Sequence, residues 1–310
     1  MEVKTITAGV LEVAYLEYGP ADGWPCIMGH GFPYDVHAYA EAAPLLDEAG
    51  ARVIVPYLRG YGPTRFVSPK TPRSGEQAVL GTDLLALMDA LGFERAVVGG
   101  YDWGGRAACI VSALWPDRVV ALVTGGSYNL LNTPRSWEPA PAAEEAAYWY
   151  QYYLHSERGR RGLLQDRRGF ARQLWKMWSP TWDFDEVTFE RSAVAFDNPD
   201  FVEVVIHSYR HRYGLVPGDP AVAHIETSLT AQPSITVPTI TIDGDADGLD
   251  ASTAHHAEKF TGSHEHRVFT EAGHNLPQER PEDWARALLD ARTMALAHDV
   301  SSLGDTMSYG

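Results

Sequence analysis

The sequence predicts an α/β fold, a mostly parallel sheet covered by helices on both faces and interrupted once by a long helical insertion. Three observations carry this reading. Short apolar runs alternate with helical patterns over residues 1–130, strand-like runs are missing over residues 132–233, and the alternation resumes at Val237–Ile242. Strands buried on both faces read as continuous apolar runs and are joined through helices, which is the parallel arrangement.

The elements follow in order. Val3–Thr7 and Leu11–Tyr18 alternate as a hairpin turning at Ala8-Gly9, and Pro25–Met28 is a buried strand running into Gly29-His30-Gly31-Phe32-Pro33. A helix carrying Tyr39 to Leu46 comes next, then a strand over Ala51–Pro56 that enters the loop Arg59-Gly60-Tyr61-Gly62-Pro63. Ser74–Leu91 places apolar residues at 80, 84, 85, 87, 88 and 91, one face of a helix stopped by Gly92. Arg95–Gly100 reads as a buried strand, Gly104–Leu114 as a helix and Val119–Thr124 as a strand. Proline clusters at 134 and 139–141 break the pattern, and helices are expected over 142–157, 166–178, 185–196 and 199–213. Val237–Ile242 and His266–Thr270 are the returning strands and Pro281–His298 the last helix, with residues 301–310 expected to fray. The expected division is a core over 1–131 and 234–310, with a helical cap over 132–233.

Composition narrows the function classes. Apolar residues at 45% and charged residues at 21% describe a chain with a full core, not a disordered, fibrous or disulfide-built one. The balance of 41 acidic against 25 basic residues gives a net charge of −16, which repels phosphate backbones and anionic lipid. Nucleic-acid and membrane partners are therefore not expected. Cys26 and Cys109 sit in apolar runs and read as reduced core thiols; no run is long enough to span a membrane, and the N-terminus lacks a signal-peptide core. The expected location is the cytoplasm. Neither His255-His256 nor His264-Glu265-His266 has the spacing of a zinc site, so no metal is expected.

The chemistry concentrates at Gly100-Tyr101-Asp102-Trp103-Gly104, between a buried strand and a helix. A G-x-S-x-G nucleophile elbow occupies such a place, and here Asp stands where Ser would. The simpler reading is a glycine-rich turn whose Asp caps the next helix. The rest of the chain argues against that simplicity. An elbow needs an acid and a histidine later, in that order. The loop Asp243-Gly244-Asp245-Ala246-Asp247-Gly248 follows one returning strand, and Glu271-Ala272-Gly273-His274-Asn275-Leu276-Pro277 follows the next. Asp102 is thus the candidate nucleophile and His274 the base. Asp247 is favoured as the orienting acid, with Asp245 second and Asp243 third. Backbone N–H groups of Phe32 and Trp103 are the candidate oxyanion hole, and His30 is expected to hold its loop by ring hydrogen bonds.

Together HGFP, GYDWG, GDADG and AGHNLPQ resemble the α/β-hydrolase superfamily and, within it, the epoxide hydrolases. The resemblance implies an α/β-hydrolase fold, with an eight-stranded, mostly parallel sheet and a helical cap after the sixth strand. The Asp-Trp elbow is shared with haloalkane dehalogenases. A carboxylate displaces at an sp³ carbon and forms an alkyl-enzyme ester, which a histidine-activated water then hydrolyses. An opening epoxide also needs an O–H donor for its developing alkoxide. Tyr148–Leu154 and Val205–Arg210 resemble the two cap segments that present tyrosines in epoxide hydrolases, at Tyr150 and Tyr209, with Tyr152 and Tyr153 as rivals for the first. Tyr153, Trp149 and Trp182 are the candidates to line the substrate pocket.

Fluoroacetate dehalogenases are similar in HGFP and in the Tyr-Arg segment, but carry Arg after the nucleophile, where this chain has Trp103. Small anionic substrates are therefore not expected. Sixteen of the 34 aromatic residues fall between Trp137 and Tyr213, which suggests a neutral, partly apolar epoxide as substrate beside water. No cofactor is implied, and a homodimer stands as an alternative to a monomer. A haloalkane dehalogenase is the second reading and a non-catalytic hydrolase-fold binding protein the third.

Overall fold

The computed structural model describes residues 2–249 and 253–306. Eight principal strands form one sheet: β1 (Lys4–Ala8), β2 (Leu11–Tyr18), β3 (Trp24–Gly29), β4 (Ala51–Pro56), β5 (Ala96–Tyr101), β6 (Val119–Gly125), β7 (Thr239–Gly244) and β8 (His264–Phe269). Their spatial order is β1-β2-β4-β3-β5-β6-β7-β8. β1 and β4 pair antiparallel to β2, and the pairings from β4 through to β8 are parallel. Arg65–Phe66 adds a short antiparallel rung on β2. Two residues are too few for alternation to signal.

The helices of the first half are α1 (Ala42–Glu48), α2 (Gln77–Ala90) and α3 (Asp102–Leu114). Between β6 and β7 come α4 (Ala142–Ala147), α5 (Trp149–His155), α6 (Glu157–Gln165), α7 (Arg167–Trp178), α8 (Glu186–Ala193), α9 (Phe201–Arg212) and α10 (Ala223–Thr230). After β8 come α11 (Leu276–Glu279) and α12 (Pro281–Thr306). Side chains alternate across a strand, and the two faces divide accordingly. Ile27, Ile54, Val98 and Leu122 pack under α2 and α3, while Cys26, Met28, Val53, Val55, Val97 and Val123 pack under α1 and α12. Cys26 and Cys109 are buried and free, and burial pushes their thiols up to about 12 and about 11. Among the described residues no helix is long and apolar enough to cross a membrane.

Helix boundaries depart from the sequence reading where polar side chains take over. The stretch expected as one helix over 142–157 is broken at Tyr148 and Ser156, and Ser156 Oγ accepts from the Gly159 N–H at 3.0 Å to start the unexpected α6. Asp166 and Asp185 cap α7 and α8 rather than join them, accepting from Gly169 and Thr188 at 2.7 Å each. α2 begins at Gln77 and not at Ser74, because Ser74 is engaged by Arg59 Nη1. Its first turns are buried all round while Leu84 and Leu85 are only half-buried. α3 packs against this end, and so does α10, which sequence reasoning did not anticipate. Its Glu226 accepts from the Ala78 N–H at 2.9 Å and from Gln77 Nε2 at 3.2 Å. Residues 301–306, expected to fray, continue α12, and 307–310 lie outside the described residues.

Candidate active site

The sheet order itself creates the site. β3 pairs with β4 on one side and β5 on the other, so the chain leaves β3 and β5 on opposite courses and opens a crevice at their carboxyl ends. Gly29 faces Gly100 across this pair, and α3 starts immediately beyond. The elbow is tight enough to exclude side chains. A Cβ on Gly104 would lie 1.9 Å from the Gly29 carbonyl oxygen, and one on Gly31 would lie 2.7 Å from Asp102 Cβ. Gly104→Ala is therefore expected to destabilise the fold by about 3 kcal/mol, the upper end for overpacking. Thermal unfolding monitored by circular dichroism checks this, and an unchanged midpoint would refute the close-packed elbow.

Asp102 takes up the strain of the turn, with φ of +49°, a left-handed conformation that a non-glycine residue adopts at a cost of about 1–3 kcal/mol. The conformation lifts its carboxylate into the crevice. Oδ1 accepts from the Phe32 N–H at 2.7 Å, and Oδ2 lies 3.8 Å from His274 Nε2. Trp103, second in α3, has no carbonyl four residues earlier within its own helix, so its N–H is not taken by the helix ladder. On the far side of the imidazole, His274 Nδ1 is 2.8 Å from Asp247 Oδ2, whose other oxygen accepts from the Leu249 N–H at 2.8 Å.

Of the three competing aspartates, Asp247 is the one bonded to His274. Asp243 instead accepts from both the N–H and the hydroxyl of Thr253, and the Asp245 N–H closes the turn onto Phe269. His30 is buried between the Gly31 carbonyl, 2.9 Å from Nδ1, and the Leu58 N–H, 3.1 Å from Nε2. Burial lowers it to about 4, so the neutral ring holds its loop.

Charge couples these groups. Burial alone would lower His274, but the carboxylates of Asp247 and Asp102 on either side outweigh it and hold the imidazole up to about 10. Burial would likewise raise Asp102; the imidazole, Arg106 and the Phe32 N–H together bring it below its ordinary value. At neutral pH the site therefore rests as a carboxylate–imidazolium–carboxylate array.

Above this array sits the helical segment. Tyr150 and Tyr209 are buried, their rings meeting edge to face at 5.4 Å. Tyr209 also packs on Phe32 at 5.4 Å and near Trp103 at 6.1 Å. Burial first, and the Asp102 charge after it, raise both phenols above their ordinary value, so both remain O–H donors. The Tyr150 oxygen accepts from Gln151 Nε2 at 3.1 Å, which leaves its own proton to donate. A cleft of about 390 Å³ runs beneath, lined by Asp102, His274, Asp247, Tyr150, Tyr148, Tyr152, Gln151, Arg106 and Arg212 among others.

The three residues expected to line the pocket lie elsewhere. Trp149 and Tyr153 pack with Phe170 inside the helical segment at 5.9 and 6.1 Å, and Tyr153 leans over Gly162. Trp182 stacks on Trp175 at 5.3 Å. Trp149 and Tyr153 stand one turn apart on α5 and turn together toward Phe170, while Tyr150, Gln151 and Tyr152 of the same helix reach the cleft.

Sequence reasoning missed the groups that hold the loops of Asp247 and His274. The Trp178 carbonyl, at the end of α7, accepts from the N–H groups of both Gly248 and His274, at 3.0 and 3.1 Å. Ser179 Oγ accepts from the same His274 N–H at 3.1 Å and donates to Glu279 at 2.6 Å. Glu279 in turn receives the N–H groups of Gly273 and Asn275. No spacing in the sequence signals a contact between residues 100 apart. Arg106 did have a signal. It stands one turn after Asp102, on the same side of α3.

Comparison with known proteins agrees with this fold. The alpha/beta hydrolase fold family model matches residues 25–281. A "putative epoxide hydrolase" from Klebsiella pneumoniae, solved by crystallography, superposes with a TM-score of 0.93 at 44% identity, covering 94% of this chain and 97% of that one. Epoxide hydrolase A of Mycobacterium tuberculosis is 26% identical over 94% of this chain and 97% of its own length. A fluoroacetate dehalogenase from a Burkholderia species is 32% identical over a shorter stretch, 44% of this chain and 42% of its own. The chain belongs to the α/β hydrolase fold family, on its epoxide hydrolase-like side, and is a hydrolytic enzyme.

Proposed function

We propose that this chain is an epoxide hydrolase that opens an oxirane to a vicinal diol through an ester on Asp102, with residues 132–233 as its cap. The observation that carries this is the nucleophile itself. A carboxylate, not a hydroxyl, stands at the strained elbow, one oxygen on the Phe32 N–H and the other facing His274. It lies under two neutral phenols.

The proton count closes on these residues. Asp102 Oδ2 attacks an oxirane carbon, the C–O bond breaks, and its electron pair takes a proton from Tyr150 or Tyr209. Esterification removes the Asp102 charge, so His274 loses one of the two carboxylates that held its proton. That proton returns to the tyrosinate, and the neutral imidazole becomes a base when a base is needed. Water attacks the Asp102 carbonyl carbon and gives a proton to His274, while the oxyanion is received by the Phe32 and Trp103 N–H groups. Collapse expels the diol alkoxide, protonated from the new carboxylic acid, and the resting array is restored. The free thiols of Cys26 and Cys109 support a reducing compartment, the cytoplasm.

One observation favours haloalkane displacement as a second reading. The indole N–H groups of Trp103 and Trp178 are buried without partners, and such donors suit a departing halide. A panel of aryl and alkyl epoxides beside matched haloalkanes separates the two. Diol formation without halide release is the expected result. Halide release with no diol would overturn the epoxide reading.

A further inference from the structure

The cleft holds two arginines, Arg106 and Arg212; the charge of Arg106 helps hold Asp102 ionised, and neither guanidinium is tied up in an ion pair among the described residues. Arg106, on α3, is buried; its Nε donates to the Asn129 carbonyl at 3.1 Å and its Nη1 is buried without a partner. Arg212, at the end of α9, faces it from the roof. Its Nη1 reaches only the amide oxygen of Gln151 at 3.2 Å, its Nε is unpartnered, and its guanidinium lies 4.8 Å over the Tyr209 ring. Both line the cleft that contains Asp102 and His274.

Among the described residues neither has a carboxylate within ion-pair distance. Arg212 is half-buried, but Arg106 is as buried as Arg59, which is held bidentate by Asp83 at 2.6 and 2.7 Å. Burial with Arg212 as neighbour pulls Arg106 down to about 10. An unpaired buried guanidinium carries a large desolvation cost, and a second one nearby adds to it. In a chain of net charge −16 carboxylates are plentiful, yet among the described residues none forms an ion pair with these two guanidiniums, which suits this end of the cleft to an anionic group on the substrate.

We propose that Arg106 and Arg212 form a carboxylate-binding subsite, and that the substrate is an epoxide bearing a carboxylate. The inference rests on the epoxide hydrolase reading, and it departs from the neutral substrate that the aromatic cap suggests. A planar carboxylate matches the guanidinium fork. The nearby negative charges of Asp102 and Asp247 favour a monoanion over a dianionic phosphonate. The Gln151 and Tyr213 side chains fix the Arg212 end, Tyr213 donating to Gln151 Oε1 at 3.2 Å.

The test is a matched series of short ω-epoxy carboxylates, their primary amides and the corresponding phosphonates. The native enzyme is expected to turn over the acid with kcat/KM about 100-fold above the amide, the scale of one or two charge-assisted hydrogen bonds. In Arg106→Gln and Arg212→Gln that ratio is expected to fall towards one, mainly through KM. Equal kcat/KM for acid and amide in the native enzyme, or a preference for the phosphonate, would overturn the proposal. Diol from neither acid nor amide would instead refute the epoxide reading. Calorimetry of simple carboxylates against the Asp102→Asn protein then decides the subsite alone: binding lost in Arg106→Gln supports it, and no binding overturns it.

Discussion

Asp102→Asn is expected to lower diol formation by at least about 10⁴-fold, because the variant keeps the shape of the elbow and loses the proposed nucleophile. The amide oxygen retains the Phe32 N–H, which donates to Oδ1 at 2.7 Å in the native site. Structure and turnover should therefore separate. The variant should keep the native circular dichroism and still show no single-turnover product. A second consequence distinguishes this mechanism from one in which Asp102 only assists. Removing its charge leaves Asp247 as the one carboxylate beside His274, so the imidazole, held up to about 10 in the native site, must titrate lower. Nitrogen-15 NMR of the histidine ring measures that titration directly. An imidazole that keeps its native titration in Asp102→Asn would sink the proposed role of ester formation in freeing the base.

His274→Gln is expected to divide the reaction. Alkylation of Asp102 needs no base, so it should survive, slowed by the loss of the imidazolium that faces Oδ2 at 3.8 Å. Hydrolysis needs the base and should fall by about 10²–10⁴-fold. The ester then accumulates. Intact-mass spectrometry after mixing with an epoxide should show one substrate mass added per chain, and peptide mapping should place it on Asp102. Steady turnover without an adduct would mean that His274 is not the base.

Much of this was legible in the sequence, for physical reasons that differ by element. The parallel strands were visible because burial on both faces leaves continuous apolar runs, as at Ala96–Tyr101. The order Asp102, Asp247, His274 was visible because each lies in a short loop at the carboxyl end of a strand, fixed by its neighbours in the chain. Asp247 was favoured over Asp245 and Asp243 from the sequence, but it is the path of the loop that brings its carboxylate to the imidazole. The cap was less legible. Trp149 and Trp182 are as aromatic as Tyr150, and composition does not record which way a helix is turned. Arg106 was hidden differently. Its spacing from Asp102 was plain in the sequence, but whether a guanidinium is answered by a carboxylate depends on residues far along the chain.

The Trp178 carbonyl has a bearing on modular engineering. It receives the N–H groups of both Gly248 and His274, one from each catalytic loop, while Trp175 Nε1 donates at 2.7 Å to the Pro33 carbonyl beside the oxyanion loop. One short stretch at the end of α7 thus sets the register of three loops that belong to the sheet. Exchanging residues 132–233 for those of a relative, a natural way to change what the enzyme accepts, would also exchange the keystone that spaces base from acid. Grafts that retain Trp175 to Ser179 together with Tyr150 and Tyr209, and vary the rest of α5 and α9, keep the proposed chemistry and alter the recognition.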